Sequence, residues 1–208
     1  MASNELPSDL CRHRVVYPAS DAAALLGTHP YMTKETFLRK ARDPTTRRNR
    51  EYYRKYSPHT IVFNERDRTT PSEAYLNLWS GNRDRGKAFE RRALYLYSVE
   101  HNTKLKKTPF KEDPILPFGG EPDAITEDNV LVEVKCPRVL RRDIPLSERY
   151  VVQVQVLMEI FECEESHVVQ YCAKEDRIYT TVVKRDRVVM KALLTSVENT
   201  FTELEILS

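Results

Sequence analysis

The sequence predicts an α/β domain in which a central β-sheet is flanked by helices, and three patterns predict it. Apolar residues recur at helical spacing over residues 86–100 and again over 149–163. Between them, from Thr108 to Lys135, the chain changes to short β segments punctuated by Pro and Gly. After the second helix, residues 167–174 and 177–184 read as two strands around a Glu175-Asp176 turn. The resulting order is helices, sheet, helix, hairpin, helix.

Each element has its own local signal. Ser20-Asp21 before Ala22-Ala23-Ala24-Leu25-Leu26 reads as an N-cap on a short apolar helix that Gly27 closes. A turn at Thr28-His29-Pro30 precedes a second helical stretch over 33–42, with Phe37 and Leu38 inward. In the helix over 86–100, Phe89, Ala93, Leu96 and Tyr97 share one side, and Glu90 lies next to it, at the core edge. The β region places strands around Phe110, over 115–118, over 123–126 and over 130–135, as antiparallel neighbours. In the helix over 149–163, Tyr150, Val154, Leu157 and Phe161 align, with Gln153 beside them; Asp186 caps a final amphipathic helix.

Composition narrows the classes. A chain of 208 residues, 40% hydrophobic and 31% charged, is expected to form one domain over 1–208 with a buried core. Neither a membrane-spanning apolar run of about 18 residues nor a signal-peptide core is visible, so a soluble, intracellular protein is expected. Cys11, Cys136, Cys163 and Cys172 lack paired spacing and read as free thiols. A net charge of +2 decides nothing, but the charge is uneven. Arg39, Lys40, Arg42, Arg47, Arg48, Arg50, Arg54 and Lys55 crowd one segment, interleaved with Tyr52, Tyr53 and Tyr56. Such a segment suits a phosphate backbone with stacked bases, and equally a solvated loop.

The chemistry concentrates in Val130-Leu131-Val132-Glu133-Val134-Lys135. Strand alternation puts Leu131, Glu133 and Lys135 on one face and three valines on the other. A carboxylate and an ammonium sharing an apolar face are unfavourable unless they pair or meet a metal. Asp123 begins the preceding strand, and a turn at Glu127-Asp128-Asn129 would bring it alongside Glu133. Asp123, Glu133 and a main-chain carbonyl such as that of Val134 would form an oxygen-rich site suited to Mg2+ or Mn2+, with Lys135 at the attacking water. Pro122-Asp123 and Glu133-Val134-Lys135 together match the PD-(D/E)XK nuclease motif.

Four segments in order resemble the lambda-exonuclease/YqaJ viral recombinase family, over about residues 14–160. They are the Ser20 segment with His29-Pro30-Tyr31; Gly86-Lys87-Ala88-Phe89-Glu90; the strands carrying Gly120, Pro122, Asp123, Glu133, Lys135, Cys136 and Pro137; and Tyr150-Val151-Val152-Gln153-Val154-Gln155. The resemblance implies a restriction-endonuclease-like core, a central mixed β-sheet flanked by helices. It implies a DNA phosphate at Ser20, Glu90 at the metal site, and Gln153, in preference to Gln155, orienting Lys135 or the water. Two cations are implied, with Glu90 completing the second site. By position Arg14, or Arg12, would receive a terminal phosphate, while Arg47, Arg48 and Arg50 belong to a divergent basic stretch of about 39–79.

The implied activity is 5′-to-3′ degradation of duplex DNA from its ends, an alkaline-type exonuclease of viral or phage recombination. A homotrimeric ring, a single-strand annealing partner, and the cytoplasm or nucleus of a host belong to the same implication. An endonuclease or junction resolvase on the same core and a non-catalytic DNA-binding recombination factor remain alternatives. An iron–sulfur nuclease of the Cas4-like type is disfavoured, because the cysteines lack tight clustering near the C-terminus.

Overall fold

A computed structural model describes residues 17–42, 57–78, 82–113, 116–138 and 145–206. Arg12, Arg14, Arg47, Arg48, Arg50 and Ile115 lie outside the described residues. Strand β1 (Tyr17–Pro18) runs into a 3-10 helix (Ala19–Ala24), followed by α1 (Lys34–Arg42), β2 (His59–Thr60), α2 (Glu65–Arg68), α3 (Glu73–Asn77) and the long α4 (Asn82–Glu100). Five short strands come next: β3 (Leu105–Lys107), β4 (Lys111–Glu112), β5 (Phe118–Gly120), β6 (Ala124–Thr126) and β7 (Leu131–Lys135). Then come α5 (Glu148–Phe161), β8 (Glu165–Cys172), β9 (Arg177–Lys184) and α6 (Arg187–Ile206).

The main sheet is mixed, in the order β2-β3-β6-β7-β8-β9, with a smaller sheet in the order β1-β5-β4. Strands β6 and β7 form the expected antiparallel hairpin, with Ala124 opposite Val132. Its turn closes on Asn129, whose φ of 61° is a conformation asparagine tolerates better than most residues. Strands β7 and β8 pair in parallel, which a tight turn cannot achieve; α5 makes the crossover.

The alternation along β7 is realised. Leu131 packs with Val154, Leu157 and Met158 of α5, while Val132 and Val134 pack with Phe89, Ala93 and Tyr97 of α4. Helices therefore cover both faces of the sheet. Among the described residues no helix is long and apolar enough to cross a membrane.

Two expectations change. Ser20 is not the N-cap: the first helix starts two residues earlier than that cap implies, is of 3-10 type, and has Pro18 at the cap position with no side-chain cap bond. The pairing of Tyr17 with Phe118 and Pro18 with Gly119 fixes that start, and burial of Ala19, Ala22, Ala23 and Ala24 leaves Ser20 exposed. The β region also begins earlier than Thr108, with β3 pairing antiparallel to β6. Asp186 caps α6 as expected, accepting from the Val188 N–H at 2.8 Å.

Beyond the apolar core, a polar clasp ties α2 to the β8–β9 hairpin. Arg92 donates to both oxygens of Asp176, at 2.9 and 2.5 Å, and to the Arg68 carbonyl at 2.5 Å; Tyr171 donates to Asp176 at 2.9 Å.

Gly120 sits where the smaller sheet meets α5, and a Cβ there would stand 2.4 Å from Leu157 Cδ2, inside the core. Gly120→Ala is therefore expected to destabilise the protein by about 1–3 kcal/mol, as overpacking does. A lowered urea midpoint with unchanged slope is the expected reading, and an unchanged midpoint would contradict this packing.

Candidate active site

The hairpin brings the sequence-predicted residues together at the carboxyl end of β7. Asp123 precedes β6, and its Oδ2 accepts from the Val134 N–H at 2.6 Å. Glu133, only 6% exposed, offers Oε1 to Lys135 Nζ at 2.7 Å and to Gln153 Nε2 at 2.8 Å. Lys135 also donates to Gln153 Oε1 at 3.1 Å, closing a three-residue ring of hydrogen bonds. Gln153 and Gln155, two positions apart on α5, point to different places. Gln155 donates to the Lys184 carbonyl at 2.8 Å and accepts from the Asp186 N–H at 2.8 Å, so it joins α5 to the start of α6.

Glu90, on α4, acts on Asp123 through its charge. Burial, followed by the charges of Glu133 and Glu90, raises the Asp123 carboxyl well above its ordinary pKa, against the pull of Lys135 and the Val134 N–H. Glu90 is also raised: burial acts first, Lys107 opposes it, and Glu133 and Glu121 add to it. Burial works against the Lys135 charge, yet Glu133 and Asp123 outweigh it and hold the ammonium above its usual pKa. These are converging carboxylates that destabilise one another, the arrangement a divalent cation relieves.

Among the described residues no three His, Cys, Asp or Glu side chains are drawn close enough to ligate a metal as they stand. The hydrogen bonds account for this spacing: Asp123 is held on Val134, Glu133 on Lys135 and Gln153, and Lys107 stands 4.0 Å from Glu90. The donor set fits a hard cation in chemistry. Cys136, next to Lys135, does not take part as a thiolate, because burial and then Asp123 and Glu90 push its pKa up to about 12.

Sequence reasoning missed several residues here. Lys107 of β3 donates toward the Pro122 and Asp123 carbonyls at 3.5 and 3.4 Å and pairs with Glu121 at 3.1 Å. Its signal was the alternation that puts it on the same face as buried Leu105, legible only once β3 is recognised as a strand. Tyr150 lies under Lys135, with Nζ 4.6 Å from the ring centroid, and Arg149 stacks 4.4 Å from the same ring and 5.6 Å from the exposed Tyr31. Ser20 makes no side-chain cap bond and is exposed; Arg14, Arg47, Arg48 and Arg50 lie outside the described residues.

No family model matches the chain, and a search of curated protein sequences finds no match. Solved structures do. An alkaline exonuclease from Laribacter hongkongensis superposes with a TM-score of 0.63 at 18% identity, over 93% of this chain and 90% of that one. Its complex with dAMP gives 0.65 at 19%, over 93% and 88%. A phage-related exonuclease from Haemophilus somnus 129PT gives 0.54 at 15%, over 94% and 98%. The fold is that of these exonucleases. The expected architecture, a central mixed sheet flanked by helices, is the one found.

The raised Asp123 pKa has a consequence for stability. A carboxyl whose folded pKa exceeds its unfolded value of about 3.8 favours folding below that window and loses the contribution as pH rises through the folded pKa. In chelator at neutral pH, Asp123→Asn removes the repelled charge and still accepts from Val134, so it should be more stable than the wild type. The advantage should fade on acidification. Denaturant titrations at the two pH values test this, and equal stability throughout would contradict the proposed repulsion.

Proposed function

We propose that the chain is a metal-dependent deoxyribonuclease, acting 5′ to 3′ on duplex DNA ends in viral or phage recombination. The observation that carries the reading is the juxtaposition at the end of β7: Asp123 bound to Val134, and Lys135 and Gln153 both bound to Glu133. Exonuclease folds that span nearly the whole chain support the substrate class.

Asp123, Glu133, the Val134 carbonyl and Glu90 would hold magnesium or manganese, which when bound polarises the scissile phosphate and lowers the pKa of a water. Asp123 and Glu133 supply the negative charge of that site, and the Val134 N–H holds Asp123 Oδ2. Lys135, anchored between Glu133, Gln153 and the Tyr150 ring, presents a fixed ammonium to a water and to charge developing on the phosphate. Gln153 acts through Lys135 and Glu133 as a positioning residue. Arg149 and Tyr31, continuous with Tyr150, extend a cationic and aromatic rim suited to a nucleic acid strand.

End-labelled linear duplex, nicked circle and closed circle, incubated with Mg2+, test the proposal. Linear DNA should be degraded from its 5′ ends and closed circles spared. Lys135→Ala and Asp123→Asn should each lower cleavage by at least about a hundredfold while DNA binding persists. Wild-type rates in both variants would refute the assigned site, and rapid cleavage of closed circles would refute the exonuclease reading.

A further inference from the structure

We propose, resting on the reading of the chain as a DNA-cleaving enzyme, that Arg85 and Arg149 form a phosphate clamp. Each grips one backbone phosphate, on either side of the phosphate that lies at the carboxyl end of β7. Helix α4 covers one face of the sheet there and α5 the other. Arg85 stands in the first turn of α4 and Arg149 in the first turn of α5, so the two side chains come to the end of β7 from opposite faces. Arg85 Nη2 donates to the Pro137 carbonyl, two residues past Lys135, at 3.4 Å, and its guanidinium lies 5.8 Å from the ring centroid of Phe89, the neighbour of Glu90. Arg149 donates to the Tyr150 hydroxyl at 2.5 Å and stacks 4.4 Å from the centroid of that ring, which Lys135 Nζ approaches to 4.6 Å.

The arginines that join elements of the fold are paired with acids: Arg91 with Asp67, Arg92 with Asp176, and Arg185 with Glu159 and Glu164. Among the described residues neither Arg85 nor Arg149 has a carboxylate partner. Arg85 Nε is buried without a hydrogen-bond partner and the bond to Pro137 is long, so the fold uses little of what this guanidinium offers. A guanidinium is always charged and carries five N–H donors in a fixed fork that matches phosphate oxygens. Both contacts would go to the backbone and not to base edges, so the clamp fixes the strand's position without selecting its sequence.

Fluorescence anisotropy of the full chain with a labelled DNA duplex, in chelator so that nothing is cleaved, tests the clamp. A neutral methylphosphonate replaces one phosphate at a time along one strand from its 5′ end. Wild-type affinity should fall roughly tenfold at each of two positions with at least one phosphate between them, the size of a lost charge-assisted hydrogen bond. Arg85→Gln should be insensitive at one of these positions and Arg149→Gln at the other, whereas loss of a residue that only braced its helix would weaken every duplex alike. Each glutamine variant should also lower the slope of log affinity against log salt by about one. Arg85→Lys and Arg149→Lys, which keep the charge, should restore the sensitivity. Full sensitivity at both positions in either glutamine variant, or loss at the same position in both, would overturn the clamp. Wild-type affinity that neither salt nor any methylphosphonate alters would be a separate failure, because it would remove the DNA reading itself and the clamp with it.

Discussion

The hydrogen bond from the Val134 N–H to Asp123 Oδ2, 2.6 Å long, is the constraint around which the site is organised. It ties the residue before β6 to the last turn of β7, across a hairpin whose register pairs Ala124 with Val132. A one-residue slip would send Glu133 and Lys135 to the α4 face and the valines toward α5. The apolar packing of both helices forbids that slip, because Leu131 belongs to one core and Val132 and Val134 to the other. The same packing that stabilises the fold therefore fixes which carboxylates meet.

What they form is a local excess of negative charge, held in place by the surrounding structure. Asp123 and Glu90 are both raised by burial and by neighbouring acids, and two lysines moderate the cluster from opposite sides. Lys135 reaches it from β7 and Lys107 from β3, so the sheet itself delivers both cations. Functional sites commonly keep such unfavourable charge where binding relieves it. Away from the site the pairs are structural: the Arg92–Asp176 clasp binds secondary elements to each other and touches none of the converging carboxylates.

Much of this was legible in the sequence because it depends on local periodicity. The alternation of β7, the turn at Asn129 and the apolar faces of α4 and α5 are short-range patterns; the first two placed Asp123 beside Glu133 and Lys135, whereas Glu90 and Gln153 were brought to the site by the family resemblance. Lys107 was not legible, since a three-residue strand carrying adjacent lysines resembles a surface loop until its pairing with β6 is known. Ser20 was misplaced for a similar reason. Its capping pattern was plausible locally, but the parallel pairing of β1 with β5, about a hundred residues away in sequence, set the cap position at Pro18. Long-range pairing also made β7 and β8 parallel, which no local signal between them announces.

Asp123, Glu133 and the Val134 carbonyl are proposed to form one cation site. A crystal soaked in MnCl2 and measured for anomalous scattering tests it most directly. A peak within ligating distance of the Asp123 and Glu133 carboxylates and the Val134 oxygen is expected. A peak elsewhere, or none with Asp123 still bound to the Val134 N–H and Lys135 still on Glu133, would contradict it.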